Sequence, residues 1–203
     1  MPALLNRTMS YMLRELGNIG CGRALTALSE LVSTDFHIRV PEIELAEYSR
    51  IPILLGDVED EMVGVMLEVS GELDGVFLLL LHPEMAERIL DKLGVPVNGG
   101  LHELTPSADS ALLELGNIMG SSYMTAVSEF TDFDIRLSVP ALAIDMLGSL
   151  LSIPVIRFAQ MDSPMLYIQN VFTIDEKDWV GSTLLLPELS SAYRLKERLE
   201  ELL

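Results

Sequence analysis

The sequence predicts an α+β fold of two tandem halves. Each half is a helix, then strands, then a second helix, and pseudo-twofold symmetry relates the two across a mostly antiparallel sheet. Three observations carry this expectation. The string LRELGNIGCG at 13–22 returns as LLELGNIMGS at 112–121. The offset of 99 residues holds without a gap from Leu13 to Pro41, with 13 of 29 positions identical to the second copy, and self-similarity of this kind signals a repeated structural unit. Each copy is then followed by a hairpin pattern and a further helix pattern.

The elements follow in order. The first repeated segment predicts a helix from about Leu4 to about Leu31, and the second from about Ser107 to about Phe130. Glu42 to Asp57, which contains Pro52, reads as strand and loop. Met62 to Val69 reads as a strand, Gly71 to Gly75 as a turn, and the apolar run Val76 to Leu81 as a buried strand. Pro83 opens a helix, PEMAERILDKLG, which Gly94 stops. In the second half, Met165 to Ile174 is the strand, Asp175 to Asp178 the turn and Trp179 to Leu186 the next strand, and Pro187 opens the last helix. The stretch Asn98 to Pro106, with its paired glycines, is the expected seam between halves 1–98 and 99–203 of a single domain. Strand order does not follow from this pattern.

Composition narrows the function. Thirty-one acidic against thirteen basic residues give a net charge of −18, which argues against a nucleic-acid partner and against an anionic membrane surface, since both need lysine and arginine. The acidity suits a basic patch on another protein. The longest apolar run is far short of the roughly 20 residues of a membrane span, and no signal peptide pattern opens the chain, so a cytoplasmic protein is expected. Cys21 is the one cysteine, so no internal disulfide forms, and His37, His82 and His102 fit no zinc spacing. Gly17, Gly20 and Gly22 lie within a helix pattern and lack the lysine of a phosphate loop, which speaks against nucleotide binding.

The repeated helix presents a narrow polar stripe. With Glu15 at zero, Tyr11, Asn18, Gly22 and Thr26 all fall within about 60°, while Leu13, Leu16, Ala24, Ala27, Leu28 and Leu31 lie on the opposite side. The second helix repeats the stripe as Ser110, Glu114, Asn117, Ser121 and Thr125. A polar stripe is ordinarily a solvated face, but such a face drifts among residue types, and here Glu and Asn recur. Asparagine and the adjacent glycine are poor helix formers, yet Gly17-Asn18 and Gly116-Asn117 both keep them. The small residues predict close approach of another backbone, from a partner protein or from the facing helix.

At these residues the chain resembles the CheC/CheX/FliY family of chemotaxis phosphatases. The family pattern is Asp or Ser, three residues, Glu, two residues, Asn, then a proline after 22 more. Ser110, Glu114, Asn117 and Pro140 match it throughout; Glu15, Asn18 and Pro41 match it with Tyr11 in the first place. Two sites in about 200 residues resemble the CheC type rather than the one-site CheX type, and no room is left for the extra flagellar-switch domain of FliY. The resemblance implies hydrolysis of the aspartyl phosphate on a CheY-type response regulator, with the receptor deamidase CheD as a further partner.

By chemistry, an amide both donates and accepts hydrogen bonds and can orient the attacking water. Asn18 and Asn117 are therefore the candidates for that task. Glu15 and Glu114 are candidates for docking against a cation of the regulator, and Ser110 is an auxiliary. The chain itself needs no cofactor; Mg²⁺ is expected on the regulator. The alternative is a non-enzymatic adaptor that binds the phosphorylated regulator or CheD.

Overall fold

The computed structural model describes residues 7–31, 36–47, 50–95, 97, 99–158 and 164–202. Their elements run α1 (Arg7–Leu31), β1 (Phe36–Glu47), α2 (Ile51–Leu55), β2 (Glu61–Gly71), β3 (Gly75–Leu81), α3 (Pro83–Lys92), α4 (Pro106–Thr131), β4 (Ile135–Leu137), β5 (Ala141–Met146), α5 (Leu147–Phe158), β6 (Pro164–Ile174), β7 (Lys177–Pro187) and α6 (Leu189–Glu201). The predicted α+β class with an antiparallel sheet is what forms: every pairing in the seven-stranded sheet is antiparallel.

The strand order is β1-β6-β7-β3-β2, with β4 and β5 both on the far side of β2. Exchanging the strands before α4 with those after it leaves this order unchanged. β1, which follows the first long helix, pairs with β6, while β4 and β5, which follow the second, pair with β2. Each edge is therefore supplied by the opposite part of the chain. The two prolines of the repeat mark equivalent places in these edge strands. The register of β1 shifts between Arg39 and Glu42, around Pro41, and β4 and β5 are separated by residues 138–140, which end in Pro140. Proline cannot donate to the ladder and is confined to edges and bulges.

Alternation along the strands builds two cores. On one face Val63, Val65, Leu67, Phe77, Leu79, Leu81, Ile168 and Leu185 pack beneath α1, α4, α3 and α6. On the other, Val76, Leu78, Leu80, Tyr167, Leu184 and Leu186 pack against Leu147, Leu150 and Leu151 of α5. The buried methionines Met12, Met85, Met119, Met124 and Met165 fill core space, as soft side chains do. One polar group is set into the helical face: the Tyr123 hydroxyl donates to Asn170 Oδ1 at 2.7 Å, and Asn170 Nδ2 donates to Thr183 Oγ1 at 2.8 Å. All three are buried, and the mutual hydrogen bonds offset their desolvation.

Three sequence expectations need correction. The segment after β1 contains a short helix, α2, with Pro52 in its first turn, where the missing N–H is harmless. The β6–β7 turn is two residues, not four. Asp175 and Glu176 both take positive φ (52° and 60°), and Ile174 already pairs with Lys177, the geometry that matches strand twist in a two-residue hairpin. Pro187 closes β7 opposite Gly75, and the last helix begins at Leu189. The expected start of the first helix, at residues 4–6, lies outside the described residues.

Candidate functional site

Both repeated helices lie in one layer over the sheet. Thr105 caps α4 by accepting from Ala108 N at 3.2 Å, with Pro106 at its first position. Arg23 of α1 pairs with Glu129 of α4 at the surface. Beneath them, α1 and α4 stand on different strands. Gly17 abuts Ile43 of β1, and Leu16 and Gly17 share a small apolar void with Leu166, Ile168 and Leu185. Gly116 abuts Val65 of β2, and Gly120 lies against Leu67 and Phe77.

These contacts correct the expectation for the glycines. Gly17 and Gly116 admit neither a partner protein nor the facing helix; they let each helix press onto side chains of the sheet. Gly20 does face the other helix, where it packs on Tyr123. With their inner sides fixed in this way, the helices turn the stripe outward. Tyr11, Glu15, Asn18, Gly22 and Thr26 are exposed on α1, and Ser110, Glu114, Ser121 and Thr125 on α4, with Asn117 half-buried. On the inner side Leu13, Leu16, Ala24 and Leu28 are buried, and Ala27 is half-buried; the Leu31 side chain lies outside the described residues.

The polar groups of the stripe are not equivalent. Thr26 donates to the Gly22 carbonyl at 3.0 Å and Ser121 to the Ile118 carbonyl at 3.2 Å, so these hydroxyls are turned onto their own helices. Among the described residues, no ion pair or side-chain hydrogen bond engages Glu15, Asn18, Glu114 or Asn117. Glu15, Asn18 and Glu114 are exposed and Asn117 is half-buried, so these groups have donors and acceptors to offer at the surface. Gly22 has nothing within 4 Å of where a Cβ would stand. No packing contact accounts for it, and it leaves the surface one turn beyond Asn18 low. Cys21, close to this stripe in sequence, is 5 % exposed, and burial pushes its thiol up to about 11. It is a packing residue rather than a nucleophile.

The surroundings differ between the stripes. Arg14 is exposed beside Glu15, whereas its counterpart Leu113 is half-buried. Tyr11 is 67 % exposed and replaces Ser110. Beside the second stripe an open groove runs between α4 and the end of α3, lined by Leu93, Val95, Pro106, Ser107, Ser110, Ala111 and Glu114. Sequence reasoning found Ser110 and Glu114 but none of the rest. The only local signal was Gly94, whose φ of +70° ends α3.

The CheC-like family model matches residues 12–45 and 108–144, the two stretches that carry Glu15, Asn18, Glu114 and Asn117. The chain is 26 % identical over 188 residues to the CheY-P phosphatase CheC of Bacillus subtilis (strain 168), covering 91 % of this chain and 90 % of that protein. Among solved structures, Thermotoga maritima FliY shares the fold with a TM-score of 0.77 at 22 % identity, over 97 % of this chain and 98 % of that one. The CheX-CheY-BeF3-Mg complex from Borrelia burgdorferi matches with a TM-score of 0.55 at 16 % identity, over 83 % and 95 %. The family's pattern is thus present twice, on the outer faces of two helices that share one sheet, and over those two stretches the chain is similar to the CheC-like family.

Proposed function

We propose that the chain is a phosphatase that hydrolyses the aspartyl phosphate of a CheY-type response regulator, using two sites centred on Asn18 and Asn117. The observation that carries this reading is the pair of outward Glu-x-x-Asn stripes whose carboxylates and amides make no ion pair or side-chain hydrogen bond among the described residues. The 26 % identical relative that is a CheY-P phosphatase supports it. Nothing in the sequence or the fold speaks for CheD.

The chemistry follows from what each group can do. Phosphoryl transfer to water needs an in-line nucleophile and charge stabilisation more than covalent help. In the proposal the regulator brings the phosphoryl group and its Mg²⁺, and the amide of Asn117 or Asn18 accepts from and donates to the attacking water and fixes its line of approach. A carboxylate 4 Å from the phosphoryl group would oppose it by about 1 kcal/mol per charge in water and by about 4 kcal/mol at a half-desolvated interface. Glu15 and Glu114 therefore serve better against a cation of the regulator, one turn away from the asparagine. Ser110 adds a hydroxyl at the second site, where Tyr11 offers a bulkier one at the first.

The test is phosphate release from the phosphorylated regulator. Asn117→Ala slows it more than Asn18→Ala, because the second site has the full set of groups, and the double variant is inactive. A double variant that still turns over excess substrate would refute the reading. Wild type that binds the phosphorylated regulator without releasing phosphate would establish an adaptor instead.

A further inference from the structure

We infer that the groove beside the second stripe is a specificity pocket that seats one apolar side chain of the response regulator, next to the cation that meets Glu114. The inference rests on the reading of the second site as a regulator-docking surface. Leu93 and Val95 line it from the end of α3, and Pro106, Ala111, Ser110 and Glu114 from α4. The apolar wall is fixed in place by the end of α3. Gly94 N donates to Asp91 O at 3.0 Å and Val95 N to Leu90 O at 2.9 Å. This pair of bonds around a left-handed glycine ends the helix abruptly and turns the next residue back towards it. Val95 and Leu93 are therefore held half-exposed beside α4 rather than buried or free.

Two further facts select the occupant. The groove is continuous with the stripe: Ala111 and Glu114 are three residues apart and Ser107 and Glu114 seven, so its α4 side extends about 5–10 Å along the helix from the carboxylate. A partner docked on Glu114 must cover it. The charge at its end is acidic, and so is the chain at −18, so the apolar group that enters should be flanked by a base, which disfavours a second copy of this chain. The first stripe differs at the described positions of α1. Met12 stands where α4 has Ala111 and is 6 % exposed, and Tyr11 stands up beside it at 67 %. Where the second site has the small Ser110 and Ala111, the first has the exposed Tyr11 and the buried Met12, so the two should not rank regulators alike.

The experiment uses the full chain with the first site silenced by Glu15→Lys and Asn18→Ala. On that background Ser107→Trp fills the groove from an exposed position and Val95→Asn makes its wall polar. Both should raise KM for the phosphorylated regulator about tenfold, the scale of a buried anchor residue at an interface, with kcat unchanged. Asn117→Ala should lower kcat instead. KM within twofold of the background for both variants, at unchanged urea midpoints, overturns the pocket while leaving the phosphatase reading intact. If Asn117→Ala changes nothing, the phosphatase reading fails, and the Kd for a beryllofluoride-activated regulator decides the pocket by the same tenfold criterion. Self-association in the wild type that Ser107→Trp abolishes would assign the groove to a second copy and overturn the proposal.

Discussion

Gly17 and Gly116 occupy the same place in the repeat, yet adding a methyl group to each should have different consequences. At Gly116 a Cβ would stand 2.7 Å from Val65 Cβ, and closer still to its Cγ1. Carbon atoms rest at about 3.5–4.0 Å, so α4 or β2 must yield by about 1 Å. Val65 is β-branched, 0 % exposed, and on a strand paired on both sides, so it has no rotamer into which to retreat. Overpacking of this kind costs about 1–3 kcal/mol, against about 1 kcal/mol gained by replacing glycine with alanine in a helix. Gly116→Ala should therefore lower stability by up to about 2 kcal/mol, or up to about 8 °C in Tm for a domain of this size. At Gly17 the nearest atom is the terminal methyl of Ile43, with Cγ1 at 3.3 Å. A terminal methyl can rotate at about 0.5–1.5 kcal/mol, so Gly17→Ala should be neutral within about 0.5 kcal/mol. Urea unfolding with a shared m-value measures both. Adding Val65→Ala to Gly116→Ala should recover part of the loss, giving a favourable coupling of about 1 kcal/mol or more. A shift of α4 by about 1 Å should also slow the second site by up to about a hundredfold. If Gly116→Ala is as stable as Gly17→Ala, the helix does not rest on Val65 and the reasoning is wrong.

Two other outcomes follow from named contacts. Glu176 holds a positive φ of 60° in the β6–β7 turn, where a non-glycine residue costs roughly 1 kcal/mol, so Glu176→Gly should raise the urea midpoint. Asp175→Gly should not, because it also removes the ion pairs of Asp175 with Arg88 and Lys92. The Cys21 thiol, raised by burial from 9.0 to about 11, keeps its proton in the folded chain after the unfolded chain has lost it. Its stabilising contribution is thus complete below about pH 9 and declines by about 1.4 kcal/mol per pH unit up to about pH 11. Unfolding measured from pH 8 to 11 should show a shallower decline in Cys21→Ala; an identical decline would remove Cys21 as its cause.

The parts of the fold that the sequence revealed were those written locally. The long helices showed as a 3.6-residue stripe, and the hairpins as apolar runs around turn residues. α2 was missed because five residues around Pro52 carry no period, and α5 because Gly148 and Pro154 interrupt its apolar run. Pro187 was read as a helix start because proline suits both that position and the end of a strand. Strand order was invisible, since the pairing of β1 with β6 depends on surfaces formed far apart in the chain. At the candidate site the four central residues were legible because repetition separated them from an ordinary solvated face. The glycines beside them were misread: the repeat shows that small residues are needed there, but not whether the sheet, the other helix or a partner fills the space. The groove was illegible because its walls belong to different helices, brought together by the turn at Gly94.

The crossed edges of the sheet also bear on synthesis. Residues paired between β1 and β6 are 117 to 138 positions apart. At roughly 5–20 residues per second, β1 waits roughly 6–28 s on the ribosome before β6 exists. During that interval α1 and the first Glu-x-x-Asn stripe have no finished floor, whereas α4 emerges onto strands already made, β2 and β3. The site at Asn117 is therefore the first that can be assembled, and the one at Asn18 the last, although it is translated first. A chain truncated before β6 would lose the earlier stripe in sequence, and slow pairing of such distant segments makes the first site the part of the molecule most exposed to interruption of its own synthesis.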